Sequence, residues 1–268
     1  MISMSSYLLK FGGNAIRGKG DMDRLANEIF HLTAKGAKII LVHGGGPEIT
    51  AAIEKKGMTT KMVGGFRITD DNVLNVADEV LKGLNNEMVD SLKNAGVNAD
   101  GMPGHKDKMI TCVKKAPIKA KDNGIEVTVD LGLVGEVDTV DTNKIKEMLS
   151  NGITPVIYPI CASADGIKMN VNADTVASGI AAALKCKEMI FITDVPGILF
   201  DVKDPSSKID TASLKMIDEL ISSGVISGGM IPKVEACRNA ILSGVSAVRM
   251  INGKDEQIKM NGGTLITG

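Results

Sequence analysis

The sequence predicts an α/β protein: helices sandwiching a mainly parallel sheet, in one compact unit with two lobes. Strand and helix signals alternate over most of the 268 residues. Two runs, "AKIILVH" (37–43) and "ITPVIY" (153–158), are continuously aliphatic or β-branched, as strands covered on both faces must be. Glycines sit where strands pass into helices, most densely in "HGGGP" (43–47).

The elements follow in order. "SYLLKFGG" (6–13) is a short strand that ends in glycines. Over 21–36, Met22, Leu25, Ile29 and Leu32 recur at helical spacing, with Asp21 placed to cap the helix and Gly36 to stop it. After the strand at 37–43, "GGGPEITAAIEKKG" opens a helix at Pro47 and closes it at Gly57. A longer helix covers 70–92, and short strands forming hairpins occupy 109–140. A helix at 142–150 leads into the strand at 153–158. "NADTVASGIAAALK" (172–185) is a helix, "EMIFIT" (188–193) a strand, and "DVPGILF" (194–200) a turn with a returning strand. Helices at 211–222 and 230–242 precede the strand "AVRMI". No linker, repeat or low-complexity tract interrupts this order, and the seam between the lobes is expected near Asp174.

Composition removes several classes of function. Hydrophobic residues make up 44% and aromatic ones 3%, so the core is aliphatic. The net charge of −1 leaves neither a basic nucleic-acid footprint nor an acidic tail. Cys112, Cys161, Cys186 and Cys237 lie far apart without C-x-x-C spacing, which favours buried reduced thiols over a zinc site or disulfides. The start "MISMSSYLLK" lacks the features of a signal peptide, and no stretch reaches membrane-spanning length. A cytoplasmic protein with no membrane or nucleic-acid partner is expected.

Residues 13–19, "GNAIRGK", match the spacing of a phosphate-binding P-loop, but Gly20 stands where that loop needs Ser or Thr for magnesium. "KFGG" places Lys10 at a strand end, where a surface lysine is the simpler reading. In "HGGGP", three glycines clear side chains from a helix N-terminus whose N–H groups accept a carboxylate or phosphate. His43 reads as a hydrogen-bonded strand-end histidine rather than a base. "GGFRITD" (64–70) sets Arg67 among glycines; it either grips a carboxylate through two nitrogens or is solvated. In "MNVNADTVA" (169–177), Asn172 can cap and Asp174 complements the helix dipole, whereas Asn170 has no such structural reason. "TDVPGI" (193–198) is a polar turn at a strand's carboxyl end, where α/β sheets hold ligands. "SGGMIPKVE" (227–235) puts Lys233 in the first turn of a helix, where a cation opposes the dipole unless an anion sits in front. Two lysines, glycine-rich anion cradles and an arginine, without a nucleophile or an obvious base, suit phosphoryl transfer to an acceptor already ionised at neutral pH, such as a carboxylate.

The ordered set "KFGGNAI", "HGGGP", "GGFRITDD", "MNVNADTVA", "TDVPGI" and "GGMIPKVEA" resembles the amino acid kinase family, from about residue 6 to the final "GGTLITG". "GGFRITD" with "NVNAD" resembles its N-acetyl-L-glutamate-phosphorylating branch rather than the uridylate, carbamate or aspartate kinases. The resemblance implies a three-layer αβα sandwich, a single domain over 6–268. Its N-terminal lobe (1–175) would bind the acyl amino acid and dimerise, and its C-terminal lobe (176–268) would bind ATP. The implied activity is ATP-dependent phosphorylation of the side-chain carboxylate of N-acetyl-L-glutamate, the second step of arginine biosynthesis. By the same resemblance Lys10 and Lys233 stabilise the transferred phosphoryl group and Asp174 organises them. Gly45, Gly46, Arg67 and Asn170 contact the acceptor. Gly12, Gly13, Thr193, Asp194, Val195, Gly197, Gly228, Gly229 and Met230 contact the nucleotide. Mg2+ arrives on the ATP phosphates, with no protein metal site. Gly64 departs from the family's frequent asparagine, which puts the fit around the acceptor in question, and "INGKDEQIKMNGG" lacks the usual apolar run. Nine residues precede Lys10, too few for the longer N-terminal helix of arginine-inhibited hexamers, so a homodimer insensitive to L-arginine is expected, with 70–92 as candidate interface. Two alternatives stay open: a kinase for aminoadipate or glutamate on a carrier protein, and a non-catalytic amino-acid or nucleotide sensor.

Overall fold

The computed structural model describes residues 6–12, 18–122, 125–255 and 258–268. The chain opens with β1 (Ser6–Phe11), α1 (Lys19–Ala34), β2 (Lys38–His43) and α2 (Gly46–Lys55). α1 starts earlier than expected: Gly18 is its N-cap residue, and Asp21 falls inside the first turn, 2.6 Å from Arg24. Asp21 therefore acts on the helix through the dipole and not as its cap. α2 begins on glycine with Pro47 in its first turn. Next come β3 (Met62–Val63), β4 (Phe66–Arg67) and α3 (Asp71–Asn94), whose Asp70 cap accepts from the Val73 N–H at 2.8 Å.

β5 (Ala99–Pro103) leads to the predicted hairpin region, which holds β6 (Ile110–Lys114), β7 (Ile118–Asp122), β8 (Ile125–Val129) and β9 (Val134–Val140). α4 (Asn143–Ser150), β10 (Thr154–Tyr158), β11 (Ile160–Ala162), β12 (Lys168–Val171), α5 (Ala173–Leu184) and β13 (Glu188–Thr193) follow. The chain finishes with β14 (Thr211–Ser213), α6 (Leu214–Ser222), α7 (Ile231–Leu242), β15 (Ala247–Asn252) and β16 (Thr264–Thr267).

Two further expectations need correction. Residues 194–200 contain no returning strand; the segment makes one isolated bridge, Leu199 to Lys208. Gly197 takes φ +125°, and the Ile198 N–H donates to the Thr264 hydroxyl at 2.8 Å rather than to a ladder. The helix expected from 211 starts at Leu214, because Thr211–Ser213 pairs with β16 and Ser213 caps the helix from an extended conformation.

An eight-stranded sheet runs β14-β16-β15-β13-β1-β2-β10-β5, parallel except between β15 and β16. Neighbouring residues of a strand point to opposite faces. Leu8, Ile40 and Val42 pack with Val176 and Ile180 of α5 and Val234 of α7. Leu9, Ile39 and Leu41 pack with Leu25 and Ile29 of α1 and Leu92 of α3. Both faces are buried under helices, which gives the three layers. Beside the sheet, β6, β9, β12 and β11 pair in a closed ring.

The four cysteines are free and buried, and burial raises the Cys112 thiol to about 11, far from the thiolate a reactive cysteine needs. Among the described residues no helix is long and apolar enough to cross a membrane. Of the residues expected at a subunit interface, Val73 and Val76 are buried with Tyr158 and Ile160 and belong to the chain's own core.

The chain leaves β1 toward β2 on one side and returns to β13 on the other. The carboxyl ends of these three strands frame a crevice, the place where open α/β sheets hold ligands.

Candidate active site: two cavities on one ion pair

Lys10, near the end of β1, has the parity of Leu8 and rises on the α5 side of the sheet. Its ammonium lies 5.8 Å from the Phe191 ring centroid and forms an ion pair with Asp174 Oδ1 at 2.5 Å. Asp174 sits in the first turn of α5, where the Asn172 side chain accepts from the Asp174 and Thr175 N–H groups. Asn172 thus takes the capping role and leaves the Asp174 carboxylate free to face Lys10.

On one side of this pair lies a cavity of about 250 Å³, lined among others by Gly45, Gly46, Arg67 and Asn170. No side chain caps the N-terminus of α2 there. Exposed N–H groups and the positive end of the dipole form a ready anion site. A side chain at Gly45 would come within 2.6 Å of Leu84 Cδ1, so the close approach of α3 explains that glycine. Behind the turn, His43 is fully buried. Its Nδ1–H donates to the Gly44 carbonyl at 3.0 Å, and its Nε2 accepts from Asn85, which also donates to the Val156 carbonyl. Burial lowers its pKa to about 4, so it stays neutral and serves as the expected hydrogen-bonded strand-end histidine.

Arg67 is carried in by a hairpin with only two residues in each strand. Gly64 and Gly65 at its tip take φ +56° and +82°, the signature of a type I′ turn. Arg67 is 7% exposed, and its Nη2 donates to the Gly46 carbonyl at 3.0 Å and to the Thr50 hydroxyl at 2.7 Å. Burial pulls its pKa down. Its Nη1 is buried with no partner among the described residues, which leaves half of the guanidinium fork for an anion in the cavity. Asn170, on β12, donates to the Thr69 hydroxyl at 3.4 Å.

On the other side of the Lys10–Asp174 pair lies a cavity of about 260 Å³, lined by Gly12, Thr193, Asp194 and Lys233 among others. Lys233 Nζ donates to Asp194 Oδ1 at 2.5 Å, and this hydrogen bond holds the Asp194 carboxyl below its ordinary range. The lysine that sits against its helix dipole is therefore neutralised by a carboxylate at the end of β13. Thr193 accepts from the Val195 N–H and donates to the Ile251 carbonyl.

Several expected nucleotide contacts do not line this cavity. Val195 packs on the core, and Gly197 lies against Thr264, where a side chain would meet Oγ1 at 2.6 Å. Gly228–Met230 forms a single 3-10 turn ahead of α7. Gly13 lies outside the described residues. Sequence reasoning missed Phe191, which is the direct β13 partner of Lys10. Only the long-range register could have shown that.

Among the described residues no group of three or more His, Cys, Asp or Glu side chains could hold a metal ion. Asp174 and Asp194 are each engaged by a lysine.

Residues 7–252 match the amino acid kinase family. The chain belongs to that family. Curated relatives named acetylglutamate kinase include that of Methanosarcina acetivorans, 42% identical over 93% of this chain and 84% of the relative. The one from Methanococcus maripaludis is 40% identical over 92% and 84%. A solved Streptococcus mutans protein shares the fold, with a TM-score of 0.75 and 25% identity over 98% of both chains. N-acetylglutamate synthase from Neisseria gonorrhoeae, solved with coenzyme A and N-acetyl-glutamate, scores 0.78 at 22% identity, covering 98% of this chain and 59% of that one. Giardia carbamate kinase scores 0.69 at 18% identity over 99% of both chains, so the amino acid kinase fold extends over the whole chain.

Proposed function

We propose that this chain uses ATP to phosphorylate the side-chain carboxylate of N-acetyl-L-glutamate, giving N-acetyl-L-glutamyl 5-phosphate, the second step of arginine biosynthesis. The relatives named acetylglutamate kinase support this substrate. The observation that carries the mechanism is the pair of similar cavities meeting on Lys10 and Asp174. A carboxylate is ionised at neutral pH, so the acceptor needs no base, which agrees with a neutral His43.

In this reading the N-terminal lobe (1–175) holds the acceptor. The unpaired Arg67 nitrogen and the uncapped α2 turn at Gly45 and Gly46 bind its carboxylates, and Asn170 binds its acyl-amino group. The C-terminal lobe (176–268) holds the nucleotide, whose phosphates meet Gly12, Thr193, Asp194 and Lys233 on the wall of the second cavity. Lys10 stands between the two and meets the charge that spreads over the transferring group, while Asp174 sets its position. Lys233 supplies the second cation once nucleotide phosphates replace Asp194 as its partner. Mg2+ on those phosphates would add charge neutralisation. The reading includes a cytoplasmic location and a homodimer, and light scattering would test the dimer.

A coupled ADP-release assay with N-acetyl-L-glutamate, L-glutamate and L-2-aminoadipate in parallel decides the acceptor. Turnover confined to N-acetyl-L-glutamate is the expected outcome. Turnover with L-glutamate or L-2-aminoadipate but not with N-acetyl-L-glutamate, or none at all, overturns the reading.

A further inference from the structure

The hairpin that carries Arg67 is too small to hold itself. Its strands share two register pairs, Met62 with Arg67 and Val63 with Phe66, and even a longer isolated hairpin is marginal in water. At its base, Thr60 donates to the Ile68 carbonyl, while Thr69 exchanges backbone hydrogen bonds with Leu131 and Leu133. At its tip, Gly64 lies against Ile118, close enough that a side chain on Gly64 would meet Cδ1 at 2.8 Å. The middle of the hairpin, Phe66, is held by Lys115, whose ammonium lies 4.5 Å from the ring centroid.

Lys115 is built for this position. Its side chain is 15% exposed, and its ammonium is also paired with Glu136 of β9. Its backbone N–H donates to the Val134 carbonyl at 2.8 Å. Val134 and Phe66 both line the cavity that contains Arg67. Lys115 therefore ties two walls of one cavity together, one through its main chain and one through its charge, without lining the cavity itself.

We propose that Lys115 is a positioning residue for the acceptor: its cation–π contact with Phe66 fixes the hairpin and so aims Arg67. The inference rests on the reading of this cavity as the acceptor site. Partly desolvated cation–π contacts are strong enough to be worth about fivefold in affinity.

The test compares Lys115→Gln and Lys115→Met with Lys115→Arg, which keeps a cation for the ring. In the neutral variants the KM for N-acetyl-L-glutamate rises about fivefold while kcat and the KM for ATP stay within twofold, and Lys115→Arg restores wild-type behaviour. Amide hydrogen exchange across 60–68, measured on the same proteins, becomes faster in the neutral variants and returns to normal in Lys115→Arg. A parallel rise in the KM for ATP, or unchanged exchange in 60–68, overturns the proposal. If the wild-type enzyme ignores N-acetyl-L-glutamate, the acceptor assignment fails instead. The exchange experiment then decides Lys115 alone: faster local exchange upholds it and unchanged exchange removes it.

Discussion

The two cavities that meet at Lys10 are built from different materials. The Arg67 side is made of backbone and direction: a glycine turn against α3, a type I′ hairpin, and a guanidinium half-committed to Gly46 and Thr50. The Lys233 side is made of paired charge, with Lys10 on Asp174 and Lys233 on Asp194. Directional hydrogen bonds fix a shape before a ligand arrives. Ion pairs between flexible side chains can change partners at small cost, because partly exposed pairs contribute little to stability. The difference suits a reaction in which one partner must be held in place and the other must have moving charge neutralised.

The sharpest way to break this contrast is at the lysines. Lys10→Ala and Lys233→Ala should each lower kcat by a factor corresponding to about 2.7–4 kcal/mol, with much smaller changes in either KM. Steady-state kinetics checks this, and near-normal turnover in either variant would remove the charge-neutralising role. The opposite region should respond in stability. Gly132 takes φ +73°, and a side chain there would meet the Thr69 carbonyl oxygen at 2.3 Å. Gly132→Ala should cost about 2–3 kcal/mol, visible as a lower Tm, and should raise the acceptor KM because Thr69 anchors the Arg67 hairpin.

Arg67→Lys should raise the acceptor KM about tenfold, the value of roughly one charge-assisted hydrogen bond lost with the planar fork. A rise in the KM for ATP instead would exchange the two cavities. The smallest effect concerns Asp194. Its pKa is lowered from 3.8 in the folded chain, so its ion pair contributes fully above that value and is lost as pH falls through the lowered one. The Tm difference between wild type and Asp194→Asn should therefore be present at pH 7 and shrink below about pH 3.8. A difference that persists unchanged in acid would mean that the pair is not its source.

Local signals in the sequence reached the helices and the buried parallel strands because each declares itself over a few residues. Pro47 and Gly57 bracket α2, Asn172 caps α5, and the run ending at His43 is β2. The site glycines were visible for the same reason, since three in a row exceed what a turn requires. What stayed hidden depends on distant partners. The Lys233–Asp194 pair spans 39 positions, and the Phe191 ring meets Lys10 only through the register of β1 on β13. The strand expected after Gly197 failed because Thr264, far along the chain, takes the Ile198 N–H. Three-residue β14 carries too little pattern to separate from the helix behind it.

The tip of the Arg67 hairpin limits which residues its sequence can carry. A type I′ turn selects for the sign of φ, a requirement that asparagine and glycine both meet. An asparagine at position 64 would keep that turn geometry but would press on Ile118, whose Cδ1 lies 2.8 Å from where its Cβ would sit. Covariation between these two positions across the family would record that crowding, and selection for a different acceptor would leave its trace elsewhere, on the walls that Gly45, Arg67 and Asn170 form.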